Sequence, residues 1–158
     1  MKQNDDWKKD RIKSAQLGEN PMVIAKMRSG FAVIGDTQFL PGYCVLLPSE
    51  KVNSLEDLDF QRRCEYLLDM SLIGDAILKV CEPRRVNYSI YGNTDAFLHA
   101  HVFPRYNWEP EERIPYPVWQ YPGEKWRDPE YQYSEETHCE LKQKLSLALH
   151  ELMKKAYK

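Results

Sequence analysis

No stretch of this sequence is apolar for long enough to span a bilayer. Its first segment, Met1 to Ser14, is charged and has no apolar centre, so no secretory leader is expected and the cytoplasm is the expected compartment. The four cysteines, Cys44, Cys64, Cys81 and Cys139, form no C-x-x-C pair, which excludes a zinc ribbon or thioredoxin-like motif. Without export, a disulfide framework is not expected either. Neither sign of charge dominates: 22 Lys and Arg stand against 24 Asp and Glu, and both are interspersed. There is therefore no field that would draw a nucleic-acid polymer or an anionic membrane. Internal repeats and low-complexity tracts are absent. Histidine is scarce, with four in 158 residues, yet two of them, His99 and His101, lie two positions apart.

What is present is a globular mixture, 42% hydrophobic and 29% charged, at a length suited to one domain over residues 1–158. Residues 4–15 are polar and free of Gly and Pro, which suggests a short surface helix. Met22–Lys26 and Phe31–Ile34 read as strands around an Arg28-Ser29-Gly30 turn. Tyr43–Leu47 is a third strand, ended by Pro48. Ser54, with acids in the following turn, is read as the cap of the longest helix, whose stripe is Phe60, Cys64, Leu67, Leu68, Ile73, Ala76, Ile77 and Val80. Cys44, Cys64 and Cys81 read as small buried hydrophobes, and Cys139 as partly exposed. Val86–Tyr91 and Phe97–Phe103 are the last strands, the second ended by Pro104. Residues 107–133 hold no period and read as a loop. Eight aromatics lie between Tyr106 and Tyr133, and six of the ten prolines between Pro104 and Pro129. A loop of that length is functional or disordered, and its aromatic content argues against disorder. Ser134 caps a terminal helix striped by Leu141, Leu145, Ala148, Leu149, Leu152 and Ala156, in the segment 134–158. The predicted class is α+β: one antiparallel sheet with helices on one face.

Alternation along Phe97-Leu98-His99-Ala100-His101-Val102-Phe103 puts Leu98, Ala100 and Val102 on one face, and Phe97, His99, His101 and Phe103 on the other. Two imidazoles side by side suit metal ligation, work on a phosphate, or a structural pair. A catalytic zinc usually takes three protein ligands. His138 and His150, on the terminal helix, cannot both join the strand pair, so the metal reading loses ground.

The segment Asn87-Tyr88-Ser89-Ile90-Tyr91-Gly92-Asn93-Thr94-Asp95-Ala96-Phe97-Leu98-His99-Ala100-His101-Val102-Phe103-Pro104-Arg105 resembles the signature of histidine-triad (HIT) proteins. Those carry H-φ-H-φ-H on a strand, often preceded by Gly-Asn and followed by Pro-Arg. The upstream stretch from Gly35 to Pro48 resembles the family's strand–Pro-Gly-His–strand segment. The resemblance covers roughly residues 20 to 106, within a HIT-like core at 16–106. It implies a hydrolase or transferase acting at the α-phosphate of nucleotide conjugates, such as diadenosine polyphosphates or nucleoside phosphoramidates. His99 matches the nucleophile and His101 the third histidine. Two departures stand out: Phe97 occupies the first histidine's place, and the tripeptide is Pro41-Gly42-Tyr43. Lys51 stands where many members have a histidine and reads as solvated. By the same resemblance Asn93, Thr94, Asp36 and Gln38 are candidate substrate contacts, each with a plain turn as the alternative. Arg105 reads as a structural ion pair. Trp108, Trp119 and Trp126 are candidates to stack a base or to cover the sheet. No protein-bound metal or cofactor is implied, only a magnesium carried by the substrate, and a homodimer is implied. The alternatives are a nucleotide-binding module without turnover and a metal-dependent enzyme using His99 and His101.

Overall fold

A computed structural model describes residues 5–158. After a 3-10 turn at Asp5–Lys9 come helix α1 (Arg11–Gln16) and strands β1 (Val23–Lys26), β2 (Gly30–Ile34) and β3 (Cys44–Pro48). Helix α2 (Phe60–Cys81), strands β4 (Arg85–Ser89) and β5 (Ala100–Arg105), helix α3 (Gly123–Arg127) and helix α4 (Glu135–Ala156) complete the order. The strands form one antiparallel sheet in the order β1-β2-β3-β5-β4, so the class is α+β as the sequence predicts. Short connections make β1-β2-β3 a meander, and β5 slots between β3 and β4.

Register decides what each face carries. Ala32 pairs with Leu46 and Leu46 with Ala100, which lines up one row across three strands. All three are fully buried beneath α2, with Ile73, Ala76 and Ile77 packed over them. Helix α4 lies against α2 and β1 on the same side, burying Leu145, Ala148 and Leu149. The next row, Val33–Val45–His101, points to the opposite face. There a smaller cluster gathers Phe39, Leu40, Tyr43, Phe103, Tyr106 and Val118.

Several sequence expectations shift. The N-terminal helix is a 3-10 turn followed by α1, whose cap Asp10 accepts a hydrogen bond from the Lys13 amide. Asn4, where that helix was expected to start, lies outside the described residues. Ser54 caps only a 3-10 turn at Leu55–Asp57, and α2 starts afresh at Phe60 under a second cap, Asp59. Along the continuous α2, Tyr66 and Asp69 share the inward face of Ile73 and Ile77, while Phe60, Cys64, Leu67 and Leu68 face outward. Cys64 is therefore not a buried hydrophobe. Pro104 does not end its strand but pairs with Val86 inside β5. Beyond Val102 the strand no longer pairs with β3, so the missing N–H costs no ladder bond on that side. The aromatic segment is ordered into the turns Val118–Gln120 and Pro129–Tyr131 around α3, and it joins the sheet side through a bridge between Thr37 and Gln132.

Two buried acids brace this frame. Asp69 accepts hydrogen bonds from the Ser29 amide (2.8 Å), the Ser29 hydroxyl (2.6 Å) and the Tyr157 hydroxyl (2.5 Å). Glu109 accepts from Arg105, from the Tyr106 amide (2.7 Å) and from the Tyr121 hydroxyl (2.7 Å). Burial raises the Glu109 carboxyl, but these donors outweigh it and hold the group below its ordinary pKa. Arg105 is thus the structural ion pair the sequence suggests.

Candidate functional site

His101 on the outer face of β5 and His99, just before the strand, which begins at Ala100 and not at Phe97, hold their rings 4.9 Å apart and 74° from parallel. His99 Nδ1 lies 2.8 Å from the Phe97 carbonyl. A carbonyl only accepts, so Nδ1 carries the proton and Nε2 keeps its lone pair. That is the tautomer a nucleophile requires. His101 Nδ1 lies 2.7 Å from the Tyr43 hydroxyl. Tyr43 is buried and has no other hydroxyl partner among the described residues, so its O–H donates to Nδ1 and the proton of His101 sits on Nε2. Burial, and after it the neighbouring His99, lower the His101 pKa to about 4. His101 is therefore a neutral N–H donor at neutral pH. Burial likewise pushes the Tyr43 phenol up, which keeps it a donor.

Local sequence makes this pairing possible. Gly42 adopts φ 104°, a left-handed conformation in which a side chain is strained. A Cβ on Gly35 would fall 2.2 Å from the Tyr43 ring. Glycine at both places lets the Tyr43 ring lie flat, stacked on Phe103 at 4.1 Å, with its hydroxyl at His101. Trp119 then stands edge-on to His101 at 4.8 Å, donates its indole N–H to Ser89 Oγ (3.3 Å) and stacks on Trp126 at 5.0 Å.

These groups line a cavity of about 410 Å³ whose walls include Asp36, Thr37, Tyr43, Val45, His99, His101, Trp119 and Trp126. Of the predicted site residues, His99, His101 and Asp36 come together there. Both oxygens of Asp36 are held by Arg11, at 2.8 and 2.7 Å. Gln38 is buried with its amide engaged by Gly35, Tyr43 and Gly42, so it braces the loop and does not face the cavity. Asn93 and Thr94 are exposed and do not line it, whereas Asp95 does. Trp119 and Trp126 do line it, and Trp108 instead stacks on Tyr106. Arg11 and Asp95 carried no sequence signal. Their places follow from α1, whose Arg11 reaches Asp36 beyond β2, and from the short return before Phe97. Among the described residues, no group of three or more His, Cys, Asp or Glu side chains is arranged to hold a metal ion, so the two histidines find no third ligand.

The architecture is shared with known structures. A histidine triad protein from Marinobacter aquaeolei VT8 superposes with a TM-score of 0.68 at 22% identity, covering 82% of this chain and 89% of that one. The chain has the histidine-triad fold. A Plasmodium falciparum diadenosine triphosphate hydrolase, solved with Cyclomarin A, gives a TM-score of 0.58 at 16% identity over 82% of this chain and 77% of that one. A zinc-bound histidine triad family protein from Mycobacterium smegmatis gives 0.55 at 17% identity over 88% and 91%. No protein-family model matches the sequence, and no curated protein matches it significantly. Within the histidine-triad fold, the two departures have definite fillings here. Tyr43 supplies a hydroxyl to His101, and the Phe97 ring lies 4.9 Å from that of His99.

Proposed function

We propose that the chain is a hydrolase or transferase acting at the α-phosphate of nucleotide conjugates through a nucleotidyl-His99 intermediate. The observation that carries this reading is the hydrogen bond from His99 Nδ1 to the Phe97 carbonyl, which leaves Nε2 free to attack phosphorus. His101 Nε2–H, neutral and beside it, suits a nonbridging oxygen of the transferring group. The Trp119–Trp126 wall suits an aromatic base. A solved neighbour of the same fold that is described as a diadenosine triphosphate hydrolase supports the substrate class. Magnesium enters only as a counter-ion of the substrate.

The test is covalent capture. Incubation with diadenosine triphosphate or an adenylyl phosphoramidate, followed by mass spectrometry, should place an adenylyl group on His99. His99→Ala should lower turnover by ~10³-fold or more with its melting temperature unchanged. Normal turnover by that variant would end this mechanism. Phe97 favours a second reading, a nucleotide-binding module without turnover. Binding without adduct would select it, and a rate gained by Phe97→His would reject it.

Two further expectations belong to this proposal. Phe60, Cys64, Leu67 and Leu68 form an exposed apolar stripe along α2, which suits the homodimer that the resemblance implies. The four cysteines are free, which suits a reducing compartment such as the cytoplasm. No helix among the described residues is long and apolar enough to cross a membrane.

A further inference from the structure

Beside the histidine cavity lies a smaller one of about 180 Å³, lined by Lys8, Lys9, Asp10, Arg11, Lys51, Asp95 and Phe97 among others. The two share Arg11, Asp95 and Phe97, so they meet beside His99. Most charges here are already matched. Lys8 pairs with Asp5, Lys9 with Asp6 and Arg11 with Asp36, and the Asp10 carboxylate caps α1. Asp95 acts on Arg11. Lys51 is different. Its ammonium stands 5.7 Å over the Phe97 ring, and among the described residues no carboxylate lies within ion-pair distance of it.

The chemistry of the leaving group meets this geometry. An amine leaving from phosphorus must take up a proton as its bond breaks, whereas a phosphate leaves as a stable anion and needs only a countercharge. Around His99 strong acids are lacking, since an ammonium such as that of Lys51 is a far weaker acid than an imidazolium. Phe97 offers no proton where a histidine would. His101 is neutral, and the Tyr43 proton is committed to His101.

Resting on the nucleotidyl-His99 reading, we propose that the smaller cavity seats the leaving group, with Lys51 selecting conjugates whose leaving group is a phosphate rather than an amine. In the step, the His99 Nε2 lone pair forms the N–P bond. The P–O bond to the leaving phosphate breaks, and its electron pair departs with that oxygen against the Lys51 ammonium. His99 keeps its Nδ1 proton on the Phe97 carbonyl as the imidazolium adduct. Water then attacks phosphorus, the N–P bond breaks back onto Nε2, and the proton of the water goes to solvent.

The test compares two substrates, diadenosine triphosphate, which releases ADP, and an adenylyl phosphoramidate of an uncharged amine. Wild-type protein should favour the first in kcat/KM. Lys51→Gln should lose roughly tenfold or more on it, as expected for one charge-assisted hydrogen bond, and lose less on the phosphoramidate. Lys51→Arg should restore most of the loss, and rising salt should shrink the gap between the variants. An equal or larger loss on the phosphoramidate, or a wild type that prefers it, overturns the assignment while a His99 adduct leaves the parent reading standing. No adduct and no turnover with either substrate removes both.

Discussion

The two faces of the sheet are built from the same strands on different principles. The inner face is chiefly aliphatic: Ala32, Leu46, Ala100, Ile73 and Ile77 meet without a polar atom among their side chains, and only Tyr66 and Asp69 of α2 bring directional bonds to it. The outer face is aromatic and directional. Tyr43, Phe103, His101 and Trp119 each have a fixed partner, and a buried Arg105–Glu109 pair ties the covering segment down. Strand β5 serves both, since alternate residues belong to opposite worlds. Aliphatic packing tolerates exchange of shape at constant volume, whereas a hydrogen-bonded face fails when one member is lost.

This contrast is open to measurement, most severely at Glu109. Glu109→Ala leaves the Arg105 guanidinium buried without its carboxylate, which should cost about 3–5 kcal/mol in chemical denaturation. A loss below about 1 kcal/mol would show that the outer face is held by packing alone. Acid should act next, and on the same face. The folded His101 pKa of about 4 lies below the unfolded value near 6.5, so the unfolded chain takes the proton first. The contribution is complete above pH 6.5 and is lost as pH falls toward 4, by up to about 3 kcal/mol. A His101→Gln variant should lack that segment of the stability profile, and an unaltered profile would reject the assignment. Tyr43→Phe, which strips one hydroxyl from His101, should cost about 1–2 kcal/mol and slow turnover, because the imidazole loses the bond that fixes its tautomer. Smallest should be the inner-face control. Ile77→Val removes one methylene from a fully buried side chain, at about 1 kcal/mol and with turnover per folded molecule unchanged. Should Ile77→Val cost more than Tyr43→Phe, the comparison inverts.

The inner face was legible in the sequence because period alone encodes it. Ala100 and Val102 alternate with the histidines, and the stripe of α4 falls at Leu145, Ala148 and Leu149 as read. The start of α2 was misread because both Ser54 and Asp59 are good N-cap types, and its stripe because Phe60, Cys64, Leu67 and Leu68 fall outside the face that Ile73, Ala76 and Ile77 define. The histidines were legible as a pair. What surrounds them was legible only in part: Trp119 and Trp126 stood among three candidate tryptophans that no spacing rule separates, and Arg11 reaches the cavity from a distant segment with no signal at all. Gln38 illustrates the same limit: a polar residue near a site can serve the loop that shapes it, and only its three hydrogen bonds separate the two roles.

The 36–38 loop and the 131–133 segment are joined edge to edge. The Gln38 amide donates to the Tyr131 carbonyl (2.6 Å), and the Tyr133 amide to the Asp36 carbonyl (2.7 Å). During synthesis, β1, β2 and β3 emerge long before the residues that complete this junction. Closing so large a loop carries an entropic cost that only the late contacts repay. On the ribosome, both histidines therefore emerge before the residues that wall the cavity around them, and the cavity closes only once residues 131–133 have been made.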